Sequence, residues 1–493
     1  MNYAIIRNIL GKIMTLLAFL MILPLIVCVW KKESYMNFLA FLIPMALLFV
    51  IGKLLYIKKA KSNRILAREG LVIVGLSWII MTLFGCLPYL ISGNMTNFFD
   101  AFFETASGFT TTGSSVVVDY DTLDFSIKFW RSFAHWIGGM GVLVFILAII
   151  PESKEGSSMH ILRAESPGPQ VGKLVSKMRV TSRILYLIYL FLTIGLILIL
   201  WLGPDKKMDL FNSMVYAFGT AGTGGFCVDA GGLEAYANST QYIIATFMLI
   251  FAINFSMYYL ILIGNLKDVF KNEELRSFFI IVIVSIVFIT LNIYLKFKDT
   301  LEALSFEEAF RHAYFQVASI ISTTGYSNAN FINWPSTSIM ILMFLTLIGA
   351  CAGSTAGGLK ITRFNILSKS VVKKIKNTIS PRKVEVIKID GKPMTDEAVH
   401  AVEGYFIVYV MVLLICAFLV SFDGYDFTTN FTASLTCVSN VGPGYTDLIG
   451  PYGSFSIFSN FSKVVLSLEM IIGRLEFFPI LVLFNPGTWK KRV

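Results

Sequence analysis

Ala101-Phe102-Phe103-Glu104-Thr105-Ala106-Ser107-Gly108-Phe109-Thr110-Thr111-Thr112-Gly113 recurs without a gap as Ala313-Tyr314-Phe315-Gln316-Val317-Ala318-Ser319-Ile320-Ile321-Ser322-Thr323-Thr324-Gly325, at a constant offset of 212. A weaker copy, Asn212-Ser213-Met214-Val215-Tyr216-Ala217, leads to Gly222-Thr223-Gly224-Gly225-Phe226. A fourth, Asn430-Phe431-Thr432-Ala433-Ser434-Leu435, leads to Asn440-Val441-Gly442. Gly113, Gly224, Gly325 and Gly442 are thus spaced by 111, 101 and 117 residues, and such self-similarity decides an architecture before any helix is counted.

Apolar runs of membrane-spanning length precede each copy (about 71–92, 184–202, 277–295, 402–421) and follow it (about 129–150, 241–264, 337–350 and onward, 459–484). The segment between is too short to span. The unit therefore reads helix, half-helix, glycine loop, helix. With two full crossings per unit, all four units run parallel and can close around a pseudo-fourfold axis. The expected fold is an all-α polytopic membrane protein with four such pore repeats at 70–152, 153–266, 267–376 and 377–493. An added N-terminal two-helix hairpin occupies 1–69; its first run ends in Cys28-Val29-Trp30 and is followed by a second apolar run, so it is read as retained rather than cleaved.

Composition agrees. Of 493 residues, 56% are hydrophobic and only 15% charged, against about 25% in soluble domains. Net charge is +10, and 30 of the 41 Lys and Arg fall at the N-terminus, at 53–68, 154–183, 267–276, 360–392 and at the C-terminus. The positive-inside rule makes these loops and both termini cytoplasmic. Their partner is anionic membrane lipid rather than nucleic acid, since no basic run is interleaved with aromatics. The opposite loops are acidic, with Asp119, Asp121, Asp124, Asp229 and Asp447 among them, and acidic mouths concentrate cations. Six scattered cysteines and four histidines (His135, His160, His312, His400) form no metal-ligand spacing. His135 and His312 are expected to be satisfied at helix ends or between helices. Without a paired nucleophile and base, no enzyme is expected.

Non-helical backbone at membrane depth survives only where protein shields it or water reaches it. Four Thr-Gly loops therefore point at an axis. Stripping water from a monovalent ion costs on the order of 20 kcal/mol, which only several oxygens together offset. Backbone carbonyls supply them where glycine permits left-handed dihedrals. The run Gly349-Ala350-Cys351-Ala352-Gly353-Ser354-Thr355-Ala356-Gly357-Gly358 breaks the last span of the third repeat, and a break is expected in that repeat alone. Arg474 lies within the last span, where a charge is costly and marks function. It is expected as a fixed positive charge beneath the loops, with an ion pair to another repeat as the structural alternative.

This order of residues, with His135-Trp136-Ile137-Gly138-Gly139-Met140-Gly141, Arg163-Ala164-Glu165-Ser166-Pro167-Gly168-Pro169, Gly353-Ser354-Thr355-Ala356-Gly357-Gly358-Leu359-Lys360 and Gly473-Arg474-Leu475-Glu476-Phe477-Phe478-Pro479, resembles the Trk/Ktr/HKT superfamily, and its TrkH branch over essentially the whole chain. The resemblance implies potassium uptake across a bacterial inner membrane through a gated, channel-like pore. It implies a homodimer with one pore per protomer, and control by a cytosolic TrkA-like ring. Nucleotide (ATP/ADP or NAD) would enter only through that partner, leaving potassium as the bound substrate and no cofactor in this chain. Carried over by position, the filter oxygens would come from Thr111, Thr112, Gly113, Gly222, Thr223, Gly224, Thr323, Thr324, Gly325, Asn440, Val441 and Gly442. The gate would comprise Gly353, Ser354, Thr355, Gly357, Gly358, Lys360 and Arg474. In relatives, serine at the first glycine goes with sodium preference, so Gly113 favours potassium. Gly222 in the second loop and the absence of threonine from the fourth imply a less uniform filter with looser discrimination. The alternative is a proton- or sodium-coupled potassium carrier, which is disfavoured because the repeats are parallel and the clear acids lie in outer loops.

Overall fold

The computed structural model describes residues 1–57, 66–141, 178–229, 231–298, 304–382 and 385–490. The end of the span expected at 129–150, the 163–169 motif and His160 lie outside them. Six of the described helices are long and apolar enough to cross a membrane, and a bent pair makes a seventh.

The N-terminal hairpin is Tyr3–Trp30, interrupted at Met21, and Tyr35–Ile57. Gly11 and Gly52 face each other where its arms cross, and a Cβ on either would strike the other's carbonyl oxygen; small residues let helices approach this closely. The hairpin packs on the first repeat, with Phe41 edge-on to Trp130 and the Glu33 carboxylate accepting the Ser126 amide at 2.9 Å.

Each repeat opens with an outer helix: Ala67–Ser92, Met178–Trp201, Glu273–Phe297 and Asp396–Val420. The pore helices follow: Phe98–Phe109, Leu210–Gly222, Phe306–Ile321 and Phe427–Ser439. Each starts on a side chain that accepts an orphan amide of the first turn: Asn97 from Phe99, Asp209 from Asn212, Ser305 from Glu308 and Asp426 from Thr429. The Thr429 hydroxyl also donates to Asp426 and holds that carboxyl below its usual range. The inner helices are Phe125–Gly139, Asn238–Ala252, Ser336–Ile348 and Asn460–Arg474.

All four inner helices stop short, which corrects the expectation of a single break. The first ends at Gly139, with Gly141 left-handed. The second turns by 89° into Phe255–Leu262. The fourth breaks at Glu476 and Phe477, both at positive φ, before Phe478–Phe484. The third break is an excursion that returns to its start: the Leu359 and Lys360 amides donate to Leu347 and Ile348, and helix Ile361–Ile379 continues. Among the described residues the strands are confined to one two-stranded hairpin, Lys388–Ile389 with Lys392–Pro393.

Candidate ion filter and gate

Four identical local geometries end the four pore helices. Thr111, Thr223, Thr323 and Asn440 all adopt the left-handed conformation, with φ of 57°, 57°, 58° and 55°. β-branched residues rarely do so. In each loop the next residue's amide bonds a carbonyl five residues back: Thr112 to Ser107, Gly224 to Gly219, Thr324 to Ser319 and Val441 to Thr436. This closes each helix as a Schellman turn. Two residues beyond the left-handed position stand Gly113, Gly225, Gly325 and Gly442, again at positive φ.

The backbone register therefore corrects the second loop by one residue. Its equivalent triplet is Thr223-Gly224-Gly225, not Gly222-Thr223-Gly224. Gly222 is the last residue of its pore helix and packs against the His135 backbone. Three loops thus share threonine at the first position, and the second loop differs at its middle position instead. The doubled glycine hid this, because Gly-Thr-Gly and Thr-Gly-Gly both align with Thr-Thr-Gly.

These glycines form a closed ring. A Cβ on Gly113 would fall on the Gly224 carbonyl oxygen, one on Gly225 on that of Thr324, and one on Gly325 on that of Val441. On Gly442 it would come within 2.8 Å of the Thr112 oxygen. Each repeat's third residue leans on the middle carbonyl of the next, in the order one, two, three, four, one. All four glycines line a single cavity of about 120 Å³, with Asp229 at its wall; the Asp229 carboxylate accepts the Tyr236 hydroxyl at 2.6 Å. Beneath the glycines, Thr111 Oγ1 and Asn440 Oδ1 are buried polar oxygens without a hydrogen-bond donor. The Asn440 amide donates to Thr112 Oγ1 and to the Met470 carbonyl, at 2.9 and 3.0 Å.

Buried polar groups brace the ring from behind. Arg131 donates to Glu104 at 2.8 Å and to the Cys227 carbonyl of the second loop at 3.2 Å. Glu104 in turn accepts the Ser115 hydroxyl and the Val116 amide just past Gly113. One helical turn from Arg131, His135 joins the Gly108 carbonyl through Nδ1 to the Phe226 amide through Nε2, the interhelical role expected of it. Between repeats two and three the brace is uncharged on the loop side: Gln241 accepts from both Arg311 and Asn328. Behind the fourth loop, the fully buried Glu469 meets the Ser434 hydroxyl at 2.5 Å, and Ser434 also reaches the Leu413 carbonyl. Glu104 and Glu469 are thus buried acids, apart from the clear acids of the outer loops. Breaking a buried ion pair from one side costs about 3–5 kcal/mol. Glu104→Ala is thus expected to lower the thermal unfolding midpoint in detergent, and Glu104→Ala with Arg131→Met to recover most of the loss.

The excursion 349–360 lies directly under the ring. The Gly357 amide donates to Thr323 Oγ1 at 2.7 Å, and a Cβ on Gly357 would meet the Ser439 carbonyl. On its other side the loop meets the bend of the second repeat: the Phe255 amide donates to the Gly353 carbonyl, and Thr355 Oγ1 to that of Phe251. Ser354 closes a turn onto Cys351, Gly358 packs on Gly349, and Lys360 Nζ donates to Ala356. Arg474 donates to Thr355 of the loop at 2.7 Å, and to Gly138 and Gly139 at 2.6 and 2.7 Å. It therefore binds the carboxyl end of a helix, where a cation is favoured. Two residues on, Glu476 pairs with Arg363, whose guanidinium lies 4.0 Å over the Tyr405 ring. All seven residues expected at the gate thus fall in one small region, together with Arg363 and Glu476.

The fold and this site define a class: a membrane transport protein in which four re-entrant loops meet on one axis. The family model described as TrkH, cation transport protein, matches residues 37–490, and the chain belongs to that family. It is 32% identical over 497 residues to the Trk system potassium uptake protein TrkH of Escherichia coli K12, covering the whole of both chains. It is 29% identical over 493 residues to the Trk system potassium uptake protein TrkI of Halomonas elongata, covering 99% and 98%. The crystal structure of the potassium transporter TrkH from Vibrio parahaemolyticus superposes with a TM-score of 0.88 at 30% identity, over 99% of this chain and all of that one.

Proposed function

We propose that the protein takes up potassium across a bacterial inner membrane through a gated pore, its filter built from residues 111–113, 223–225, 323–325 and 440–442. The observation that carries this reading is the closed ring of four glycines under one cavity, in a chain whose relatives are named for potassium uptake. The cavity opens to the outside and the basic loops face the cytoplasm. Excursion 349–360, held by Arg474, obstructs the path below the filter. The working unit is a homodimer, opened by a cytosolic nucleotide-binding ring of the TrkA kind that docks on the basic connections.

Flux through the purified protein in liposomes tests the reading. Channel-like uptake with a potassium preference under bi-ionic conditions supports it. Saturating uptake strictly coupled to protons or sodium would instead establish a carrier. Glu469, buried in the last inner helix, is engaged by Ser434 of the fourth pore helix and not by the ring of loop residues, which favours the pore.

A further inference from the structure

The first turn of helix Glu273–Phe297 touches both ends of the candidate gate. Glu274 is 8% exposed. One oxygen of its carboxylate accepts the Ala352 amide at 2.7 Å, inside the excursion, and the Thr362 amide at 3.3 Å, in the first turn of the helix that follows. A single side chain thus spans residues 353–361. Its neighbours tie the same turn to the basic connection. Lys369 pairs with Glu273 at 2.6 Å, and Asp390, at the tip of the small β-hairpin, accepts the Glu273 amide at 2.7 Å and the Asn272 side chain at 3.1 Å. The hairpin's Ile387 and Ile389 are buried with Ile366, Val399 and Val402. The hairpin, the turn and the excursion are therefore one connected structure.

Helix-terminal acids commonly do no more than complement the dipole of their own helix. Glu274 is placed differently: it is buried, and its acceptor oxygen is taken by amides of two other segments. Glycine-rich backbone has a high entropy when released, so closing its ends needs fixed bonds. Bonds to a charged acceptor are the strong kind, roughly twice a neutral one.

We propose that Glu274 is a positioning residue for gating: it clasps the two ends of excursion 349–360 and holds it in the obstructing form, with the Lys388–Pro393 hairpin as the lever on the same turn. This rests on the reading of the excursion as a gate.

The test is basal rubidium flux of the full-length protein in liposomes without any partner subunit. Glu274→Ala is expected to raise it about tenfold or more, and the isosteric Glu274→Gln, which keeps a weaker acceptor, by about fivefold. Deletion of 353–358 provides the fully released reference. Hydrogen exchange of the Ala352 and Thr362 amides should accelerate in the same order, and the thermal midpoint of the Gln variant should match the wild type. Unchanged flux in both substitutions while the deletion leaks would overturn the clasp and leave the gate. If the deletion is silent as well, the gate reading itself falls. Should Glu274→Ala fail to fold, the Gln variant decides: unaltered exchange and flux there overturn the clasp.

Discussion

Replacing Gly113 by serine is expected to reduce the preference for potassium over sodium about tenfold or more, read as the reversal potential under bi-ionic conditions. Two effects act together. At a φ of 84° an L side chain strains the backbone by roughly 1–3 kcal/mol. Its Cβ also has no room, because the Gly224 carbonyl occupies that position. The oxygen displaced belongs to the neighbouring repeat, so the damage falls on the coordinating layer itself; a loss of about 1.4 kcal/mol of discrimination is already tenfold. Gly93 provides the control. Its φ is 80°, but nothing lies within 4 Å of a Cβ there. Gly93→Ser should therefore leave selectivity alone, and equal losses in both variants would show that strain, not carbonyl displacement, is at work. An unchanged reversal potential in Gly113→Ser would remove residues 111–113 from the filter.

Deleting residues 353–358 is expected to raise basal cation flux by about two orders of magnitude, because it clears the path while leaving the Arg474 charge in place. A fixed unit charge about 5 Å from a passing cation raises its energy by roughly 3 kcal/mol at an effective dielectric of 20. Arg474→Met, which keeps bulk and removes charge, should raise flux by lowering this electrostatic barrier. It also frees the carbonyls of Gly138, Gly139 and Thr355, loosening the loop. A deletion variant that folds, keeps its selectivity and does not leak would return the segment to a packing role.

The repeat was legible because its strongest copies, 101–113 and 313–325, preserve both helix and loop. With the two weaker copies and the spans that flank all four, they implied four units and a ring. The register of the second loop was not legible, since adjacent glycines leave a one-residue slide without cost in sequence; only the repeated left-handed threonine resolves it. The breaks in the second and fourth inner helices were not legible either. Ile253-Asn254 and Leu475-Glu476-Phe477 carry no glycine run, and their backbone turns because contacts from other repeats hold it. Arg474 stood out as a charge in an apolar run. Glu274 and Arg363 did not, because they sit in stretches whose charges read as ordinary membrane-flanking residues, and their burial comes from segments about 80 to 110 positions away.

The ring has consequences for how the protein is made. Its last contacts run from the fourth repeat to the first: Asn440 on Thr112, Gly442 against the same residue, Arg474 on Gly138 and Gly139. Chains emerge and insert from the amino end, so three quarters of the ring wait, incomplete, until the final tenth of the polypeptide arrives. A nascent chain stalled on the ribosome before that point has spans in the bilayer but only three of the four loops, and premature termination anywhere upstream of residue 440 leaves the ring open.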